Sequence, residues 1–498
     1  MLEFFAIGFA EALKPYSLLA MTAGVTWGII GGALPGISGS IAMALLLPFT
    51  FGMPSSAALM MLAGVYIGAM YGGSITAILI RTPGTPGAAI TIIDGYELQR
   101  RGEGARALGV SLVTGFFGGV ASVFILIFLA IPLSRVALAF QAAEYFALGF
   151  FGLCLISSLA GKEQLKGLIS GLIGLMFATV GTDPFSGTPR FTLGNINLIG
   201  GIEPIVAIIG LFAVSEIFQQ VTETTAWEKF RGKARTALPT WSELRRLTPA
   251  MVIGTIVGTL EGLLPGGGGS VASFIAYNEA RRWSKHPEEF GQGSIEGVAA
   301  PETANNVVTG TALIPLLTFG IPGSNSAAIF LGAMMLHELL PGPTLFEKRP
   351  EVVYGLFASL LISNVLMLVI GYLVLKPCVR LVNVPKPLLL SGILGLVLVG
   401  AYSVTSDIFN VWLVLGMGLL GYLMRRYHFN VLAAVLGLVL GFMVEVNFRR
   451  ALVLSGGDYL TFVERPISAV LLFFAFVTLL LPLWRRFREL KEQAGEAA

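Results

Sequence analysis

The sequence predicts an all-α polytopic membrane protein. Roughly twelve transmembrane segments, each needing about 20 apolar residues, would form two inverted-topology repeats with broken or re-entrant helices. Three observations predict this class. Charged residues make up 12% of the 498 positions, about half the ~25% of a soluble domain, so water cannot solvate most of the outside. Mean hydropathy is +0.81, which equally excludes a disordered chain, because that much apolar surface collapses. The third observation is glycine: 62 residues, well above the usual ~7%. In lipid, glycine permits close helix contact and irregular backbone that lines a cavity.

Taken in order, the chain opens on Met1-Leu2-Glu3-Phe4-Phe5. This start lacks the basic region and small-residue cleavage site of a signal peptide, so the first apolar run is expected to stay as a span. Apolar segments continue to about Gln220, giving a first transmembrane repeat over 1–220. A polar stretch, 221–247, carries Lys229, Arg231, Lys233, Arg235, Arg245 and Arg246 and reads as a basic cytoplasmic linker. Apolar segments resume over 248–484 as the second repeat. A basic tail, 485–498, contains Arg485, Arg486, Arg488 and Lys491.

The halves resemble each other. Gly24, Gly28, Gly32, Leu34-Pro35-Gly36, Gly39-Ser40 and Ala42 recur without gaps as Gly254, Gly258, Gly262, Leu264-Pro265-Gly266, Gly269-Ser270 and Ala272. Further along, Thr82-Pro83-Gly84-Thr85-Pro86-Gly87-Ala88-Ala89-Ile90 matches Ile321-Pro322-Gly323-Ser324-Asn325-Ser326-Ala327-Ala328-Ile329. Charge suggests their relative orientation, since cytoplasmic loops collect Lys and Arg. The loop after the first motif is uncharged in half one (51–56), but holds Arg281, Arg282, Lys285 and His286 in half two. After the second motif the bias leans the other way, with Arg100, Arg101 and Arg106 in half one against a mixed loop in half two. Corresponding loops are therefore expected on opposite sides of the membrane, the inverted repeat common among secondary transporters.

Each Pro-Gly segment interrupts an apolar run. Proline removes a backbone donor and glycine allows positive φ, so the helix breaks and leaves N–H and C=O groups open at membrane depth. Such groups are costly in hydrocarbon unless they meet water or a ligand. A helix N-terminus starting there suits a carboxylate, and a broken C-terminal end offers carbonyls to a cation. One such break is a packing kink. Four, in two matched pairs flanked by small hydroxylic residues, point to a binding site. The expected lining is Gly36, Ser38, Gly39, Ser40, Thr82, Gly84 and Thr85 from half one, with Gly266, Gly269, Ser270, Gly323, Ser324, Asn325 and Ser326 from half two. Neutral hydroxyls and amides can bind a carboxylate or coordinate Na⁺ without burying a permanent charge.

Charged and amide neighbours have two readings each. Arg81 is placed either to pair bidentately with a substrate carboxylate or to snorkel to the interface. Asp94 either caps the next helix or takes part in ion gating and coupling. Glu261, at a repeat position otherwise held by glycine, is an ion-coupling candidate or an interfacial residue. Glu302, Asn305 and Asn306 look like a helix start facing a cavity and complete the ion-coupling set. His337 reads as interfacial. Cys154 and Cys378 lie in apolar stretches and are expected to be inert core residues, and three dispersed histidines form no zinc pattern. No metal site is expected beyond Na⁺ at the same tips, and no cofactor beyond Na⁺ or H⁺ as coupling ion. The scattered basic residues exclude a nucleic-acid face.

At these motifs the sequence resembles the large permease subunit of tripartite tricarboxylate transporters (TctA type). The resemblance rests on Gly32-Ala33-Leu34-Pro35-Gly36, Tyr71-Gly72-Gly73-Ser74-Ile75, Thr82-Pro83-Gly84-Thr85-Pro86-Gly87 and Asp94-Gly95-Tyr96. In half two it rests on Gly262-Leu263-Leu264-Pro265-Gly266, Glu302-Thr303-Ala304-Asn305-Asn306, Gly320-Ile321-Pro322-Gly323 and Pro341-Gly342-Pro343. It covers essentially the whole chain. It implies a secondary transporter of organic acids in the bacterial inner membrane, not an enzyme. Implied partners are a small membrane subunit (TctB type) and a periplasmic solute-binding protein (TctC type). Implied coupling is Na⁺ or H⁺ symport of citrate or a related carboxylate. Asn325 departs from the pattern, which leads one to expect a more variable small residue there. The Ser-Asn-Ser tip also resembles the ion-binding tips of divalent-anion/Na⁺ symporters.

Rival classes have specific counts against them. Gly36-Ile37-Ser38-Gly39 matches the short pattern of a rhomboid-type intramembrane serine protease. That chemistry needs a facing histidine base, and none falls in a clear mid-span position. Gly266–Ser270 lacks the lysine of a P-loop. A passive anion channel also uses irregular backbone at depth, but paired inverted repeats favour a transporter.

Overall fold

The computed structural model describes residues 2–34, 37–159, 164–222, 235–264, 266–375, 378 and 384–480. The expected all-α polytopic class is the one observed. Among the described residues the only paired strands form one short ribbon, β1 (Gly181–Thr182) against β2 (Pro189–Arg190). The apolar runs resolve into eight helices long and apolar enough to cross a membrane, with five shorter apolar helices beside them. Two of the shorter ones, Gly39–Thr50 and Asn325–Leu336, are broken pieces of the kind that the Pro-Gly segments predict.

The chain divides into two compact units, each drawn from both parts of the sequence: 1–135 with 208–418, and 136–207 with 419–498. The first unit is built on two helix pairs. In one, α2 (Pro15–Ala33) packs along α4 (Ser55–Ile80), a helix whose apolar span is wholly buried. Gly24, Gly28 and Gly32 of α2 press on the backbone of Met61, Val65 and Ala69. Reciprocally, Gly64, Gly68 and Gly72 of α4 press on Met21, Val25 and Ile29. Glycine every four residues on both helices removes the side chains that would hold the axes apart.

The other pair repeats the device. α11 (Trp241–Leu263) lies along α13 (Ile295–Thr311), and Gly254, Gly258 and Gly262 meet Ala300, Ala304 and Thr311. The last residues of the sequence-defined linker, 241–247, form the first turns of α11. A capping box between Thr240 and Glu243 starts that helix, satisfying two otherwise orphan donors.

After each glycine-lined helix the chain breaks and a second helix begins: α3 (Gly39–Leu46) after α2, and α12 (Gly268–Trp283) after α11. The Trp27 indole donates to Ala42 O at 3.0 Å and folds α3 back on α2. α4 is followed by a 3₁₀ turn at Pro86–Ala88, α5 (Thr91–Arg100) and α6 (Gly104–Ala137). α13 is followed by α14 (Leu313–Phe319) and α15 (Asn325–Leu336).

The second unit centres on α7 (Ala142–Leu159), α8 (Gln164–Ala178) and the helix Val431–Leu454. Gly174 meets the backbone of Ala434, and Gly437 that of Gly171. The Phe448 and Phe462 rings stack on each other nearby, with the Phe146 ring tilted against both. At one end of this unit Arg449 donates to Asp183 at 2.8 Å and Arg190 to Glu445 at 2.6 Å. Cys154 and Cys378 are buried and unbridged.

Candidate functional site

All four tips come together inside the first unit. Each break opens a helix N-terminus or a tight turn, for a local reason. Ser38 caps α3 by accepting from Ile41 N, and its hydroxyl lies 2.8 Å from that of Ser40. Ser324 caps α15 by accepting from Ala327 N at 3.1 Å. α12 starts without a side-chain cap at Gly267, after Gly266 turns the chain at φ 101°, a region glycine enters without strain. At Pro86–Ala88, Pro86 opens the turn with its fixed φ.

A chain of contacts links the tips. Gly39 at the start of α3 lies beside the Ser326 hydroxyl. Ser324 lies beside Gly268 at the start of α12, and Gly269 lies against Asn305 of α13. Gly87, in the tip that follows α4, presses on the same Asn305 amide. Gly266 N donates to Gly323 O at 3.3 Å, joining the two tips of half two. Tyr66 of α4 and Ser324 share a hydrogen bond of 2.9 Å across the halves. The two second-motif tips seat identically: Gly84 on the carbonyl of Gly32, and Gly323 on the carbonyl of Gly262.

At the centre, both polar atoms of the fully buried Asn305 amide lack a protein partner. Two further buried polar atoms have none either: the Thr85 hydroxyl, which lies against Gly73 of α4, and Asn306 Oδ1, on the side of α13 that meets Gly115 of α6. Buried polar groups are nearly always hydrogen-bonded, so unpartnered groups where three helix N-termini open indicate a place for a polar ligand. The N–H groups of the first turns have no intrahelical acceptor and carry partial positive charge.

Directly behind Asn305, one helical turn back, is Glu302. It is fully buried. Ser74 of α4 donates to its two oxygens at 2.7 and 2.8 Å, Thr91 of α5 at 2.5 Å and Ser111 of α6 at 2.9 Å. The Asn306 amide donates to the Glu302 carbonyl at 2.9 Å. Ser74, Thr91, Ser111 and Tyr66 were not foreseen as site neighbours. Ser74 had a signal, as the one polar residue of Tyr71-Gly72-Gly73-Ser74-Ile75. Ser111 is one hydroxyl in a long apolar helix and had none.

Other expected residues are placed apart from this cluster. Arg81 is exposed: it ends α4 in the left-handed region (φ 57°) and lies over the Tyr96 ring. Asn325 is exposed and Thr82 half-buried, its hydroxyl donating to Ile80 O. Glu261 is half-buried against Gly267, and Ser270 is half-buried on the first turn of α12. Asp94 is buried and fully engaged. Its Oδ1 accepts from the backbone of Gly291, Gly293 and Ser294 at 2.8–2.9 Å, and its Oδ2 from the Tyr277 hydroxyl at 2.8 Å. It thereby pins the loop that starts α13. Gly36 lies outside the described residues, as do Pro35 and Pro265, residues 223–234 of the linker and the whole tail.

The sequence matches the model of a family described as "Tripartite tricarboxylate transporter TctA family" over residues 18–436. The chain belongs to that family. A similar protein of Agrobacterium vitis, described as "Uncharacterized 52.8 kDa protein in TAR-I ttuC' 3'region", is 40% identical over 94% of this chain and 93% of its own length. Another from the same organism, "Uncharacterized protein in TAR-II ttuC' 3'region", is 38% identical over 47% of this chain and 98% of its own length. No solved structure matches the chain. Membership makes this TctA-family chain a multi-pass large subunit of a transporter class. All four tips, Asn305 and the Glu302 cage lie within the matched residues.

Proposed function

We propose that this chain is the large membrane subunit of a binding-protein-dependent secondary transporter. It imports an organic carboxylate, citrate or a related acid, across a bacterial inner membrane by Na⁺ or H⁺ symport. A periplasmic solute-binding protein delivers the anion, and a small membrane subunit completes the complex. The anion is held at the four tips by neutral donors and by the N-termini of α3, α12 and α15. The coupling ion lowers the electrostatic cost of carrying it. The halves act as inverted repeats, and the tips move relative to their supports to alternate access.

The observation that carries this reading is the Asn305 amide, buried with no partner where tips from both halves converge. Family membership supports carboxylate as the solute class. The neutral lining supports it too: it offers hydrogen-bond donors to an anion without the desolvation penalty of a buried charge.

The test is uptake of radiolabelled citrate, succinate and benzoate into proteoliposomes holding the chain with its two partners. Accumulation above the external concentration is expected only when a Na⁺ or H⁺ gradient is imposed. Equilibration without accumulation under any gradient is the signature of a channel. Asn305→Ala is expected to reduce uptake with normal membrane insertion. Uptake at the wild-type rate in that variant removes the tips as the binding site.

A further inference from the structure

The geometry points to a proton as the coupling ion, carried by Glu302 within the hydroxyl cage of Ser74, Thr91 and Ser111. This rests on the symporter reading above and names its ion.

Glu302 is a fully buried carboxyl whose partners are all neutral. Among the described residues no Lys, Arg or His lies within ion-pair distance of it. The titratable groups on the helices around α13 are otherwise occupied or set apart. Arg106 of α6 pairs with Glu103 and Glu243, and Asp94 of α5 holds the Tyr277 hydroxyl of α12. Glu261 of α11 lies against Gly267. Arg246 of α11 pairs with Glu289 and with Glu296 at the start of α13. Tyr71 of α4 is a further titratable side chain on these helices, and it is buried. A lone buried carboxylate is costly, and neutralisation by a bound proton is the ordinary resolution.

The cage suits a proton. Its hydroxyls sit in direct hydrogen-bond contact with the two Glu302 oxygens at 2.5–2.9 Å, the arrangement in which a hydrogen is held between two oxygens. A hydroxyl donates one hydrogen and accepts others, so the cage tolerates both states. With Glu302 ionised, all three hydroxyls donate to it. With Glu302 protonated, one must turn round and accept. Ser74 can do so, because the Met70 carbonyl lies 3.5 Å from its oxygen as an alternative acceptor. The proton enters from the outside solution onto a Glu302 oxygen and leaves to the inside. No other bond forms or breaks.

The cage is tied to the solute site at both ends. Thr91 opens the helix that follows the Gly87 tip, and Ser74 follows Gly73, against which Thr85 rests. Turning these hydroxyls alters the seating of the tip whose Gly87 faces Asn305.

The experiment uses the reconstituted complex with citrate in Na⁺-free medium. An inside-alkaline pH gradient should drive accumulation, about tenfold per pH unit at one proton per citrate, and a protonophore should abolish it. Glu302→Gln should lose that accumulation while citrate counterflow, which needs no gradient, falls less than about threefold. A purely structural role would lower both together. Accumulation driven by Na⁺ but not by pH in wild type, or Glu302→Gln accumulating like wild type, overturns the proton assignment and leaves the symporter reading intact. Absence of counterflow of citrate, succinate and benzoate in wild type sinks both. Should Glu302→Gln fail to insert, proton uptake by the wild-type complex on citrate binding, followed in weakly buffered detergent over a series of rising pH values, decides. Uptake that climbs toward about one proton per citrate as pH rises, after correction for citrate's own ionisation, supports the assignment, and none at any pH overturns it.

Discussion

A single amide separates what is structural from what is functional here. Asn305 has no partner for either polar atom, and an unsatisfied buried polar group costs about 1–3 kcal/mol. Asn305→Leu, close in volume, should therefore leave ligand-free thermal stability equal or higher while abolishing uptake, as expected where stability is given up for function. Thermal unfolding in detergent beside an uptake assay checks both halves. A markedly lower melting temperature would mean that the amide is a packing residue. The tip residues were legible because Ser, Thr and Asn beside Pro-Gly in an apolar run have few other uses. The orientation of Arg81 and Asn325 was not legible. Arg81 ends its helix with a left-handed residue, which turns its side chain to Tyr96, and such a turn leaves no mark in composition. Asp94 illustrates the same gap. Its acceptors serve backbone donors almost 200 positions away, and no local pattern announces a partner at that distance.

At the scale of elements, the glycine ladders make the sharpest forecast. Gly28→Ala and Gly258→Ala each place a methyl group against a neighbouring helix's backbone, and overpacking of that kind costs about 1–3 kcal/mol. Both should lower the melting temperature. Unaffected melting would mean that the helix pairs have room to separate. The Asp94 clasp is a second case. Asp94→Ala strands three backbone donors and the Tyr277 hydroxyl, at about 1–3 kcal/mol for each group left unsatisfied. The loop at 291–294 should then become open to proteolysis, where wild type resists. The breaks themselves were legible, since proline and glycine act locally. The packing partners were half legible: equal spacing of glycines in α2 and α4 suggests that they face each other, whereas α13 answers the glycines of α11 with alanine and threonine, which have no distinctive signature.

Over the whole molecule, the all-α membrane architecture followed from composition alone, because solvation by lipid is a property of the total surface. The division into compact units did not. Each unit draws on separated stretches of chain, and long-range assembly of that kind is invisible to a linear reading of apolar runs. The ion-pair cluster of the second unit gives a prediction at this scale. Backbone donation from Ser186, then the Arg449 guanidinium and Phe185 N–H, hold Asp183 well below the usual carboxylate range. A lowered folded-state value stabilises above the unfolded value of about 3.9 and is lost only as pH falls through the folded one. Asp183→Asn should therefore destabilise this unit at neutral pH, and its deficit should shrink only below about pH 4. Melting curves of both proteins from pH 3 to 8 test this, and a deficit that varies between pH 5 and 8 would contradict it. Finally, Gly84 rests on Gly32 as Gly323 rests on Gly262, so the molecule supplies its own control for any perturbation of that seat. The same methyl group can be introduced at either copy in turn. Unequal transport rates from two chemically equal lesions would then report which copy transport depends on more.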